Sequence, residues 1–468
     1  MLNKEFEPKR FHFIAIGGIG MSGLAKYLLE MGAQVSGSDI ADSKYCDELR
    51  KLGAKIYIGH DAKNVPENSM VVVSSAVKEN NVELLRAKEL NCGIIHRSEA
   101  LKLLSLGFGL DEKPKFIGFA GTHGKTTTSG LCSFVLNKAN TKASYVVGGI
   151  IPDFATNAKF YDGAKYFVAE LDESDGTIVK YSPNTFVVNN LEADHPDFYK
   201  NGLDDVIKTF KNVLNNLGKD AKILINSDNE GCKRLANECH DKTFITYGLN
   251  SGVYRAENIV YSFGNTSFEV VKNSTKLGKI ELSVIGEHNV YNALAVAVAI
   301  YENEGSLEKY VQYFKDFTGM GRRMQKKAEI GSISIFDDYA HHPSEIKATL
   351  SAVSGIKKDR RLVTIFQPHR YTRFKSLWND FLQAFDKTDK LIVLDVYSAG
   401  DTKDETVSSQ KFVNQIKHND AAFIDGNMQE VAKKIMPLLK KNDIVITMGA
   451  GDVTKIGNYL TDLYNGEN

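Results

Sequence analysis

Cysteine is scarce and scattered. Cys46, Cys92, Cys132, Cys232 and Cys239 are odd in number and never fall in a CxxC spacing, which argues against a disulfide framework or a cysteine zinc site and fits a reducing cytoplasm. Net charge is missing as well. The 58 basic and 58 acidic side chains cancel, removing the electrostatic reason to expect a nucleic-acid or anionic-membrane partner. No apolar run approaches the roughly 18 residues that span a bilayer. The apolar stretch after the mixed-charge N-terminus runs into Gly17-Gly18-Ile19-Gly20 rather than a small-residue cleavage site. At 468 residues the chain exceeds what one core organises, and a prior of roughly 100–200 residues per domain points to about three.

What is present reads as α/β throughout. Phe11–Ile16 is a predicted strand followed by glycines and a helix over Met21–Met31, with further strands at Ala33–Gly37, Met70–Ser74 and Gly93–Ile95. Gly107–Pro114 interrupts this pattern, and a second strand–loop–helix unit follows, with its strand at Lys115–Ala120 and its helix at Thr126–Lys138. Tyr166–Leu171, Thr185–Asn189 and Lys222–Asn226 add strands. Val253–Val284 alternates with period two around Gly264-Asn265 and Asn273-Ser274, which predicts a small antiparallel patch before a helix at Asn289–Tyr301. After Gly319-Met320-Gly321, strands at Ser332–Phe336, Arg361–Phe366, Lys390–Val396, Ala421–Ile424 and Asp443–Met448 alternate with helices, predicting a third, largely parallel sheet. The expected domains are 1–111, 112–318 and 319–468: a Rossmann-like domain, a P-loop ATPase-like domain carrying the β patch, and a second Rossmann-like domain.

Gly18-x-Gly20-x-x-Gly23, with Asp39 after the next strand, satisfies the dinucleotide fingerprint. Its physics is a tight turn that lets a helix N-terminus approach any diphosphate, so a nicotinamide dinucleotide and a UDP-sugar both remain open. Gly121-Thr122-His123-Gly124-Lys125-Thr126 lies between a strand and a helix, where backbone N–H groups cradle phosphates, Lys125 reaches the β/γ oxygens and Thr126 binds Mg²⁺. Phe119 stands where the full Walker A pattern has glycine. Glu170, at the end of the strand Tyr166–Leu171 and before Asp172-Glu173-Ser174-Asp175, and His195, after another strand of the same unit, stand where open sheets place metal-binding groups. Taken singly, each is a surface acid or a loop-capping histidine. The loops Asp337–Pro343 and Gln367–Arg373 are dense in charge and imidazole at one sheet edge, and paired guanidiniums suit a carboxylate or phosphate. Asn289 reads as an N-cap; Asn292, one turn later, has no capping task and could read a purine edge.

Together the segments IGGIGMSGLA, VVSSAV, HRSEAL, AGTHGKTTT, VAELDESD, EADHPDFY, GEHNVYNALA, TGMGRRMQ, DDYAHHP and FQPHRYTR, in that order, resemble the Mur ligases of bacterial peptidoglycan synthesis. The resemblance runs over nearly the whole chain. It implies a UDP-sugar site from Gly18, Gly20, Met21, Ser22, Asp39, Ser74, Ser75, His96 and Arg97, and an ATP site from Gly121, Thr122, His123, Gly124, Lys125, Thr126 and Thr127. Asn289 and Asn292 would lie near adenine, with Arg323 and Asp338 reaching ATP from the third domain. Thr126, Glu170 and His195 would hold Mg²⁺ or Mn²⁺. His341, Arg370 and Arg373 would surround the incoming amino acid and the reacting carboxylate, completing a catalytic set with Lys125, Glu170 and His195.

The reaction so implied is ATP-dependent joining of L-alanine to the lactyl carboxylate of UDP-N-acetylmuramate through an acyl phosphate, with domain closure preceding chemistry. The partners are then small molecules, and monomer and homodimer stay open. Several relatives carry a carbamylated lysine where this chain has Phe210, so none is expected here. The alternatives are a recycling ligase attaching a ready-made peptide to the same sugar nucleotide, an NAD-dependent oxidoreductase built on Gly18–Gly23 and Asp39, and a nucleotide-binding module without catalysis.

Overall fold

The computed structural model describes residues 10–262, 265–284, 286–322 and 324–467. Its first sheet has five parallel strands: β1 (Arg10–Ile14), β2 (Gln34–Asp39), β3 (Lys55–Ile58), β4 (Met70–Val73) and β5 (Gly93–His96), in the order β3-β2-β1-β4-β5. The strand expected to reach Ile16 stops at Ile14, because Ala15 takes a left-handed conformation (φ 65°) that no strand accommodates. The helix Ile19–Glu30 starts directly after the glycines.

The second sheet has ten strands: β6 (Lys115–Ala120), β7 (Ala143–Ile151), β8 (Thr156–Lys159), β9 (Tyr166–Glu170), β10 (Thr185–Val188), β11 (Lys222–Asn226), β12 (Phe244–Gly248), β13 (Tyr254–Ser262), β14 (Asn265–Lys272) and β15 (Thr275–Leu282). Their order is β15-β14-β13-β12-β11-β10-β6-β9-β7-β8. The expected β patch continues this sheet: β13 pairs in parallel with β12 through Tyr247–Tyr254 and Gly248–Arg255. Asn273 and Ser274, both at positive φ (44° and 69°), form the two-residue turn between β14 and β15, the backbone state a tight hairpin requires. Gly264 lies outside the described residues.

The third sheet comprises β16 (Gln325–Ile330), β17 (Ile333–Asp338), β18 (Leu362–Phe366), β19 (Lys390–Val393), β20 (Ala421–Phe423) and β21 (Ile444–Met448), ordered β16-β17-β21-β18-β19-β20. Only β16, at the edge, runs antiparallel. Leu362 and Phe366 enter one core cluster while Val363 and Ile365 enter another, so β18 is apolar on both faces, as a helix-covered parallel strand must be.

The chain divides into two compact units. One runs to Glu257 and adds Glu269–Ile280 and Tyr291–Phe314; the other holds Asn258–Phe268, Glu281–Val290 and the chain from Lys315. In the first unit a single core cluster joins Phe13, Leu24 and Leu101 of the first sheet's layer to Phe116, Phe167 and Phe186 of the second. The helix Ile19–Glu30 is held at both ends by the segment after β7: Asn157 Nδ2 donates to Ile19 O (2.7 Å), and Phe160 N donates to Glu30 Oε2 (2.7 Å).

Candidate active site

Three adjacent parallel strands build the first part of the site. β6 lies between β9 and β10, so Gly121, Glu170 and Asn189 emerge side by side at their C-terminal ends, where open α/β sheets bind ligands. Gly121 has φ 127°, and a Cβ there would stand 2.7 Å from Asn190 O. Gly124 has φ 80°, and a Cβ there would meet Asn292 Oδ1 at 2.6 Å. Both positions therefore exclude side chains, and the loop backbone stays open ahead of the helix Lys125–Lys138. His123 N donates to Asn190 Oδ1 (2.7 Å), and Thr122 Oγ1 receives Glu192 N (2.9 Å). Thr127 is buried one residue beyond Thr126.

Lys125 Nζ donates to Gly121 O (2.7 Å), Thr122 O (3.0 Å) and Glu173 Oε1 (3.0 Å), and lies 2.9 Å from Glu173 Oε2. Burial disfavours its charge, but Glu173, Asp172 and Glu170 outweigh that and raise its pKa above the ordinary lysine value. Glu170 hydrogen-bonds the Thr126 hydroxyl and accepts from Gly148 N at 2.8 Å; burial raises its pKa, and Lys125 offsets this only in part. His195, at φ 52°, points Nε2 toward Glu173 Oε1 and Asp194 Oδ2, each at 3.7 Å. Burial opposes its protonation, yet Glu173 and Asp194 leave its pKa raised.

The structure thus joins Thr126 to Glu170 and sets His195 against Glu173. Among the described residues no three or more His, Cys, Asp or Glu side chains converge as a metal site. A hydroxyl beside a carboxylate is nonetheless the donor chemistry Mg²⁺ takes, since that ion completes its shell with water and phosphate oxygens.

A second site opens at the first sheet. A cavity of about 540 Å³ is lined by Gly17, Gly18, Gly20, Met21, Asp39, Ser74, Ser75 and Arg97 among others, at a helix N-terminus whose Gly18 cap offers no side-chain acceptor. Asp39 Oδ2 accepts from Gly17 N at 2.8 Å, so the fingerprint acid pins the glycine turn. Ser22 is buried and donates to Ile19 O. His96 caps the helix Arg97–Ser105, and Ser75 Oγ bridges His96 Nε2 and Asp175 Oδ2, both at 3.1 Å.

Arg97 Nη2 donates to Asp172 Oδ2 (3.0 Å) and lies 3.8 Å from Asp175. Burial alone would raise the pKa of Asp172, but Lys125 and Arg97 hold it down at about 2. Arg97 also lines a smaller cavity of about 220 Å³ with Gly20, Gly148, Glu170 and Asp172. Gly20 and Arg97 thus line both cavities.

In the other unit β21 lies between β17 and β18, and their ends carry the third group of residues. Asp338 accepts from Met324 N (2.9 Å) and Ala340 N (2.7 Å), which fixes the loop toward His341. The His341 and His369 rings are 5.9 Å apart, His369 stacks on Tyr397, and Arg373 Nη1 is 3.4 Å from His369 Nδ1. Burial, then His341 and Arg373, lower the pKa of His369 to about 4, leaving a neutral ring. Arg370 Nε instead turns to Asp401 Oδ1 at 3.1 Å. Arg323 lies outside the described residues. Asn289 is not the helix cap: the helix begins at Glu287, leaving Asn289 in its first turn, while Asn292 packs its amide against Gly124.

Gly148 and Asn190 carry no signal in the sequence, and His369 stands in the charged loop Gln367–Arg373 without a role of its own. Glu173 and Asp172 were visible as part of an acidic run without indication of which acid faces Lys125. Phe210, in place of a lysine, is fully buried against Phe186.

Residues 10–108 match the Mur ligase family catalytic domain, 119–300 the Mur ligase middle domain and 322–451 the Mur ligase glutamate ligase domain. A UDP-N-acetylmuramate--L-alanine ligase of Geotalea daltonii is 40% identical over 97% of this chain and 98% of its own length. One from Dictyoglomus turgidum is 39% identical over 97% and 96%. Among solved structures, the UDP-N-acetylmuramate-alanine ligase MurC of Thermotoga maritima superposes with a TM-score of 0.83 at 28% identity, covering 98% of this chain and 100% of that one. A murein peptide ligase of Psychrobacter arcticus shares the fold, with a TM-score of 0.70 at 24% identity over 97% of this chain and 99% of that one. With its three α/β segments matched in order from end to end, this chain belongs to the Mur ligase family.

Proposed function

We propose that the chain joins L-alanine to UDP-N-acetylmuramate at the expense of ATP, an early step of peptidoglycan precursor synthesis. The observation that carries this reading is the end-to-end identity of about 40% with relatives that bear that activity in their names. The cytoplasm, which supplies the ATP, is the compartment we assign, and we place the domain boundaries at 111/112 and 318/319.

The cavity around Gly18, Gly20 and Asp39 takes the UDP diphosphate at the open helix N-terminus. The sugar then extends past Arg97 toward Glu170, along the smaller cavity. Lys125 and the amides of the Gly121–Thr126 loop take the ATP phosphates. Thr126 and Glu170, with His195 near by, would hold Mg²⁺, which neutralises phosphate charge when bound. A carboxylate is inert to amines at neutral pH, so it first attacks the γ-phosphorus to become an acyl phosphate, releasing ADP. The amine of alanine then adds to the acyl carbon and phosphate leaves. Lys125 stabilises charge developing on the transferred phosphoryl group. Arg373, held beside neutral His369, offers its guanidinium to the alanine carboxylate.

Phosphate release from ATP, Mg²⁺ and UDP-N-acetylmuramate, compared with L-alanine, a stem tripeptide and no amine, tests this. Release that requires L-alanine is expected. Release with tripeptide alone would reassign the chain to peptide recycling, and none with any amine would remove the catalytic reading.

A further inference from the structure

Lys125 is already occupied. Its ammonium meets both oxygens of Glu173, a side chain only 2% exposed, at 3.0 and 2.9 Å. Oε2 has no hydrogen bond of good geometry, so its contact with the ammonium is purely ionic. The same carboxylate faces His195 Nε2 at 3.7 Å. Two further contacts hold the Glu173 loop to the His195 loop. Tyr199 OH donates to Glu173 O (2.6 Å), and the Phe198 ring packs so closely on Gly176 that a Cβ there would stand 2.5 Å from Cζ.

We propose that Glu173 is the resting counter-ion of Lys125: a positioning residue whose carboxylate competes with phosphate oxygens for the ammonium and keeps Lys125 and His195 in register. This rests on the Lys125 loop being the ATP site. A buried ammonium with no partner is costly, so Glu173 stabilises the loop without nucleotide and must then share Lys125 with an incoming anion. Its charge therefore weakens nucleotide binding while its placement of the two basic groups supports the reaction. The two effects have opposite signs, and a purely structural carboxylate would not produce them.

The test compares Glu173→Gln with the wild type in direct binding of metal-free ATP and of adenosine, which has no phosphate, and in steady-state turnover with L-alanine. The expected result is ATP affinity raised about tenfold, with adenosine affinity unchanged and kcat lowered at least about tenfold. Weaker or unchanged ATP binding, or equal shifts for ATP and adenosine, would overturn the proposal. Glu173→Asp keeps the charge and serves if the glutamine variant does not fold; its ratio of ATP to adenosine affinity should stay within about twofold of the wild type, and a tenfold rise would overturn the proposal. Failure of the wild type itself to bind ATP would instead refute the nucleotide site.

Discussion

A methyl group at position 148 has nowhere to go: it would stand 2.3 Å from Glu170 Oε2, where Gly148 N now donates a hydrogen bond to that oxygen. Gly148→Ala should therefore displace the carboxylate that meets Thr126 and lower kcat at least about tenfold, with a much smaller loss of UDP-N-acetylmuramate affinity, since Gly148 lines the smaller cavity and not the larger one around Gly18. A calorimetric titration beside steady-state rates checks it, and unchanged kcat would show that Glu170 can move without consequence. Lys125→Ala should abolish phosphate release and likewise leave UDP-N-acetylmuramate binding nearly intact. Equal loss of both would mean the two sites are misassigned. Arg373→Ala should raise the L-alanine concentration needed for half-maximal rate, and an unchanged requirement would take that residue out of the amino-acid site. At this scale the sequence was legible where a residue's neighbours along the chain declare its task, as in Gly121–Thr126. It was opaque where the partner is distant. Gly148 matters because of Glu170, twenty-two positions away, and nothing local distinguishes it from a glycine in a turn.

Strands apolar on both faces, such as β18, were readable, and so were the edge strands β5 and β20; the edge strands β3 and β16 were not. β3 (Lys55–Ile58) and β16 (Gln325–Ile330) carry lysines and a glutamate on solvated faces, so neither shows the apolar run or strict alternation that marks a strand. β7 was missed for a different reason: two adjacent glycines interrupt its apolar run, and one of them gives Glu170 room. A buried polar network ties β1 and β2 to the helix Val82–Glu89. His12 and Ser38 contact Glu83 Oε2, and Asn64 Nδ2 donates to Oε1 at 2.7 Å. Burial pushes the Glu83 pKa up, but the bonds from His12, Ser38 and Asn64 outweigh it and hold it at about 2, below its value of 4.5 in the unfolded chain. A depressed carboxylate contributes stability above its unfolded pKa and loses it as pH falls. This contribution, about 3 kcal/mol, should therefore disappear between roughly pH 5 and 2. Denaturant melts across that range should steepen with acid in the wild type and flatten in Glu83→Gln; parallel curves would assign acid sensitivity elsewhere.

At the scale of the whole molecule, the strand C-termini of the three sheets carry three different groups of residues: a glycine turn pinned by Asp39, a lysine loop ringed by acids, and a paired histidine–arginine cluster. No helix among the described residues is long and apolar enough to cross a membrane. The order of motifs along the chain made the three-part α/β fold legible. The merging of the first two sheets into one compact unit was not, because the surface that joins them is ordinary apolar sequence on the helix Ile19–Glu30 and the strands it covers. In the proposed reaction ATP activates a carboxylate on the sugar nucleotide for attack by alanine. The most direct measurement follows heavy oxygen from the lactyl carboxylate of UDP-N-acetylmuramate during turnover with ATP, Mg²⁺ and L-alanine. One labelled oxygen in each phosphate released, together with the alanyl amide in the product, is expected; unlabelled phosphate accompanying that same amide would rule out the acyl phosphate.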